Sequence, residues 1–191
     1  STGGGNGRGK DAADFDNDQL LDYATVRNDG WVYVYSGNGE GNFTLEDSWD
    51  SGGQSYCLAA GDFDEDGKAD IIVNDEGSDQ MELYNGNGDG TFGAGVALFT
   101  VADQEHGCDA YDIDNDGHLD LLYIDEQNGQ FFSRLGYGNG SFAAEVEHED
   151  NTYNNFFGLA MPPPHFNAYT YKLPLEISSS NDITSKVLDT G

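Results

Sequence analysis

Basic residues are scarce in this chain. Seven Lys and Arg stand against 36 Asp and Glu in 191 residues, a formal net charge of −29. Such a polyanion repels nucleic acid and anionic membrane surfaces. It also repels itself unless cations neutralise it. No apolar run of about 18 residues is present, so no bilayer-spanning helix and no membrane insertion are expected. No secretory leader is visible. Cys57 and Cys108 are too few for a disulfide-rich scaffold or a zinc site. No P-loop and no nucleophile-elbow serine occur, and His106, His118, His148 and His165 are dispersed along the chain. The chain is therefore read as non-enzymatic. Acidic pairs suited to glycoside chemistry exist, but the obvious ones fall in the loops described below. Helical periodicity is also scant.

What is present is aromatic and glycine-rich. Eleven Tyr, eleven Phe and two Trp are far more than a disordered acidic tail carries, so the chain is expected to fold. With 27 glycines, the composition suits many short strands joined by tight turns. The acidity has two readings, general solubility in salt or metal binding. Clustering favours the second, because 12 of the 36 acids are aspartates at matching positions of three short loops.

Those loops are an internal repeat. They run Asp14-Phe-Asp-Asn-Asp-Gln-Leu-Leu-Asp22, Asp62-Phe-Asp-Glu-Asp-Gly-Lys-Ala-Asp70 and Asp112-Ile-Asp-Asn-Asp-Gly-His-Leu-Asp120, with starts 48 and 50 residues apart. A glycine-rich tip recurs downstream of each: Ser36 to Phe43, Asn85 to Phe92 and Leu135 to Phe142. Alternate glycines in each tip allow a tight reversal, and its terminal Phe is expected to anchor the return strand in the core. Each unit therefore reads as strand, Asp loop, strand, strand, glycine hairpin, strand. Four antiparallel strands in about 48 residues is the size of a propeller blade.

Calcium takes six to eight hard oxygen ligands. Alternate aspartates turn three carboxylates inward, the backbone carbonyl at position seven adds another, and the aspartate at position nine closes the cage. The expected ligands are Asp14, Asp16, Asp18, Leu20 and Asp22; Asp62, Asp64, Asp66, Lys68 and Asp70; and Asp112, Asp114, Asp116, His118 and Asp120, with Leu20, Lys68 and His118 acting through their carbonyls. An EF-hand is rejected, because its bidentate Glu at position twelve is replaced by Thr25, Val73 and Tyr123. The first loop departs from the other two at position six. Gln19 stands where they have Gly67 and Gly117, so a weaker first site is expected.

These loops and tips resemble the FG-GAP/VCBS repeats of integrin α-subunit propellers and of fungal and bacterial propeller lectins. The resemblance covers residues 10 to 145. It implies an all-β, propeller-like array of three four-stranded blades, with Ca²⁺ between the first and second strands of each. The repeats are placed at about 10–57, 58–107 and 108–150. Residues 151–191 are read as an incomplete fourth unit, diverted by Pro162-Pro-Pro164, followed by an alternating strand at Tyr169 to Ile177 and a polar tail. Three blades are fewer than a propeller's usual four to eight. Exposed sheet edges and that terminal strand point to pairing between copies, into a homo-oligomer or filament.

Smaller features carry expectations of their own. Cys57 and Cys108 precede two loops on equivalent strands. A bond suits an oxidising compartment, but such strands are expected to lie too far apart, which favours two buried thiols. Asn42 and Asn139 fit glycosylation sequons at hairpin tips. Trp31, Tyr33 and Tyr35 share one strand face, read first as core packing and second as a sugar-stacking platform. Calcium abundant enough for low-affinity modules is extracellular. The function expected is an extracellular calcium-binding structural or adhesive module, its partners being copies of itself, glycans or surface proteins. The alternatives are a calcium-dependent propeller lectin and an accessory propeller of a larger secreted enzyme.

Overall fold

The computed structural model describes residues 6–101, 105–125 and 130–149. These form twelve strands in three four-stranded antiparallel sheets, each a meander of consecutive strands. The first blade comprises β1 (Gly7–Asp11), β2 (Tyr23–Arg27), β3 (Trp31–Gly37) and β4 (Phe43–Asp50). The second comprises β5 (Leu58–Gly61), β6 (Asp70–Asp75), β7 (Gln80–Tyr84) and β8 (Val96–Thr100). The third comprises β9 (Glu105–Tyr111), β10 (Asp120–Asp125), β11 (Gln130–Arg134) and β12 (Val146–Glu149). The chain is thus an all-β, propeller-like array. The expected fourth unit and C-terminal strand lie outside the described residues.

Strand burial follows from how many faces are covered. On β3, Val32 and Val34 are buried while Trp31 is exposed and Tyr33 and Tyr35 are half-buried. That alternation marks a strand with one covered face. On β6, all six residues of Asp-Ile-Ile-Val-Asn-Asp are buried. Its two faces serve two cores. Ile71 and Val73 join Phe15, Ala24, Val26, Val32 and Val34 of the first blade, whereas Ile72 joins Leu121 and Tyr123 of the third. Burying each such aliphatic side chain contributes roughly 1.5–3 kcal/mol.

Aromatic contacts reinforce both joints. Trp49 lies 5.1 Å from the rings of both Tyr84 and Phe92. At the equivalent place in the next joint, Phe99 sits 6.1 Å from Phe142, with the Arg134 guanidinium 3.9 Å above the Phe99 ring.

Cys57 and Cys108 form a disulfide, with Cα atoms 5.3 Å apart. This corrects the expectation of two thiols. The first strands of neighbouring blades lie against one another, so Cys57, just before β5, and Cys108 in β9 come within the 4.4–6.8 Å that a bridge requires.

Candidate metal centres

Each Asp loop joins the first and second strands of its blade, and all three share one internal bonding pattern. The amide at position five donates to Oδ1 of positions one and three: Asp18 to Asp14 and Asp16, Asp66 to Asp62 and Asp64, Asp116 to Asp112 and Asp114. The amide at position six donates to the other oxygen of position one, from Gln19, Gly67 and Gly117. The amides of Leu20, Lys68 and His118 reach Oδ1 of Asp18, Asp66 and Asp116. Short carboxylates accepting local amides are what fold so tight a loop.

The turn demands left-handed backbone at position six. Gly67 and Gly117 adopt φ of +86° and +98°. Gln19 adopts +70°, so the first loop keeps the shared conformation at a steric cost.

The aspartates at position nine have a second duty. Asp22 is buried, its Oδ2 accepting from the Phe15 amide and its Oδ1 from the Gly37 amide, both at 2.8 Å. Asp70 does the same for Phe63 and Gly86, and Asp120 for Ile113 and Gly136. One carboxylate thus ties the loop to the glycine hairpin of its own blade. The hairpin's first glycine is required there, because a Cβ at Gly37, Gly86 or Gly136 would collide with the carbonyl oxygen of Leu21, Ala69 or Leu119. Burial raises Asp70 to a pKa of about 6, helped by the nearby carboxylates of Asp64 and Asp62 and opposed by the two amides.

Carboxylate oxygens converge within 4.8 Å in three groups: Asp14, Asp16 and Asp18; Asp62, Asp64 and Asp66; Asp112, Asp114 and Asp120. Asp22, Asp70 and Asp116 stand outside these sets. One lysine and one histidine flank the loops. Lys68 Nζ pairs with Asp66 at 2.6 Å, and His118 contacts Glu65 of the neighbouring loop, which raises its pKa. Those two cannot balance twelve carboxylates. A convergent set made only of hard oxygens suits a hard divalent cation, Ca²⁺ above the softer metals.

The FG-GAP-like repeat family matches residues 14–73 and 62–123, spans that contain all three loops. The chain belongs to the FG-GAP-like repeat family. Among solved structures, these FG-GAP repeats resemble a lectin of Agrocybe aegerita, described as specifically recognising non-reducing terminal N-acetylglucosamine. That similarity has a TM-score of 0.53 at 18% identity, covers 72% of this chain and spans 37% of the lectin chain. It establishes shared fold alone. No curated protein sequence matches the chain significantly.

Two other expectations meet the structure differently. The Trp31–Tyr33–Tyr35 ladder is not core; Val32 and Val34 fill that role, and the aromatics stack along the first blade's outward face. Phe43, expected to anchor its return strand, is likewise 53% exposed. Sequence reasoning also missed a central groove of about 270 Å³ between β1, β5 and β9. Asp11 and Asp109 line it, and burial raises both their pKa values.

Proposed function

We propose that this FG-GAP array is an extracellular structural module, rigidified by calcium in three loops and self-associating. The carrying observation is the threefold convergence of carboxylate oxygens with almost no counter-charge. Asp14, Asp16, Asp18 and Asp22 would hold the first ion with the Leu20 carbonyl. Asp62, Asp64, Asp66 and Asp70 would hold the second with the Lys68 carbonyl. Asp112, Asp114, Asp116 and Asp120 would hold the third with the His118 carbonyl.

Calcium supplies charge neutralisation there, with no chemistry on a substrate. Its benefit reaches beyond the loop, because the position-nine aspartates also bond the hairpins. Binding and folding are therefore coupled. A millimolar calcium supply and an oxidising milieu for Cys57–Cys108 both belong outside the cell. Calorimetric titration of the chelated protein tests the reading: heat for three ions supports it, and no heat with an unchanged melting curve defeats it.

A calcium-dependent carbohydrate-binding role is the second reading. The outward aromatic ladder favours it, since stacked rings suit sugar faces. A glycan array with and without EGTA separates the two. Self-association by strand addition from residues 168–191 falls outside the described residues, and the surfaces considered next do not depend on it.

A further inference from the structure

We propose that the loop end of the third blade docks, head to tail, on the open face of the first blade in a second copy of this chain. The proposal rests on the self-association reading above and names its two surfaces.

The same joint is built twice within one chain. The Gly90 amide of the second hairpin donates to the Phe15 carbonyl of the first loop at 3.0 Å. The Gly140 amide of the third hairpin donates to the Phe63 carbonyl of the second loop at 2.8 Å. Asn17 and Asp16 lie against Gly88 and Gly90, as Glu65 and Asp64 lie against Gly138 and Gly140. The loop aromatic packs edge-on to the hairpin phenylalanine, Phe15 on Phe92 at 5.5 Å and Phe63 on Phe142 at 5.9 Å. The first and second Asp loops thus each seat the hairpin of the following blade.

Each half of that joint recurs, without its mate, at opposite ends of the described array. On the third blade, Ile113 occupies the place of Phe15 and Phe63. It is 39% exposed, where they are 1% and 3%. Asp114 and Asn115 are exposed beside it, and no hairpin amide meets the Ile113 carbonyl among the described residues. On the first blade, Gly41 stands where Gly90 and Gly140 stand, with open space around its Cβ position. Below it, Tyr23, Thr25, Tyr35 and Phe43 line an apolar hollow of about 380 Å³.

Among the described residues, one end therefore presents a loop without a hairpin, and the other a hairpin without a loop. A heterologous contact matches them, Gly41 amide to Ile113 carbonyl and Phe43 against Ile113. Pairing loop against loop would instead set acid on acid in a chain of net charge −29. Calcium in the third loop lowers the residual repulsion. A glycan is the weaker occupant, because no charged group lines the hollow and sugars need convergent polar partners.

Sedimentation velocity of the full chain, in calcium and physiological salt over a concentration series, tests the joint. Wild type should assemble. Phe43→Glu and Ile113→Glu, each at an exposed site, should sediment as monomers with wild-type melting curves. Mixed in equal amounts, they should recover a complex of two copies, since one good half survives on each. Val96→Glu changes an exposed apolar residue outside both halves and should assemble like wild type. Monomeric wild type overturns the proposal, as does an Ile113→Glu variant that still assembles, a mixture that stays monomeric, or dissociation by Val96→Glu. Calcium titration of the same samples keeps the outcomes apart. Three bound ions on a monomer leave the calcium reading intact and sink only the docking.

Discussion

Raising the pH on calcium-free protein should weaken the fold, and Asp70 shows by how much. Burial between the second loop and its hairpin lifts this carboxyl from 3.8 to about 6, with Asp64 and Asp62 adding to the rise. The folded group therefore keeps a proton that the unfolded chain has already lost. Between about pH 4 and pH 6 the unfolded state binds fewer protons, so stability falls as pH rises. The gap from 3.8 to about 6, at about 1.4 kcal/mol per pH unit, amounts to on the order of 3 kcal/mol. The loss is complete once the pH passes the folded value. Calcium reverses the sense, because the ion and the proton compete for one carboxylate and the ion favours the charged form. Urea unfolding in EGTA, followed by the fluorescence of Trp49 at the first joint, measures the slope. General repulsion among 36 acids acts in the same direction. An Asp70→Asn variant separates the two, as it keeps one acceptor but cannot ionise. Its apo stability should fall less over the window, by about the amount given above. Identical slopes for the variant and wild type would refute the linkage.

Other outcomes follow from single contacts. Gln19→Gly should stabilise the calcium-free protein by about 0.5–1 kcal/mol, the left-handed strain relieved less the extra entropy of glycine, and should tighten the first site in a titration. Gly67→Gln should do the opposite by about 1–2 kcal/mol, read from the urea midpoint. Paired Cys57→Ser and Cys108→Ser changes open a cross-link spanning 51 residues and should cost up to about 4 kcal/mol, measured without reductant. Asn74→Ala should cost about 1–3 kcal/mol, because its buried Oδ1 is the acceptor for the amides of Tyr56 and Cys57.

The blades were legible because their signals are local. Nine-residue Asp loops and Gly-x-Gly-x-Gly tips encode their own turns, and the alternation of Val32 and Val34 announces a half-covered strand. Relations between blades were not. Nothing in spacing alone brings Cys57 within reach of Cys108, since that closeness comes from the first strands of neighbouring blades lying against one another. The Trp31 ladder was misplaced for a similar reason. Alternation tells which residues share a face, but which face meets a neighbouring blade depends on the direction in which the array grows. Position nine reads from the sequence as a cage-closing ligand; its second duty, the bonds from the Gly37, Gly86 and Gly136 amides, is visible only in the folded hairpin. A visible trace of that duty was the glycine opening each tip, where any side chain would strike the loop's carbonyl.

Native mass spectrometry of the full chain, desalted and then returned to calcium, addresses the metal centres most directly. Three Ca²⁺ per chain, lost together with part of the melting temperature when EGTA is added, is the expected result. A chain that stays metal-free at millimolar calcium, and melts at the same temperature with or without chelator, would contradict it.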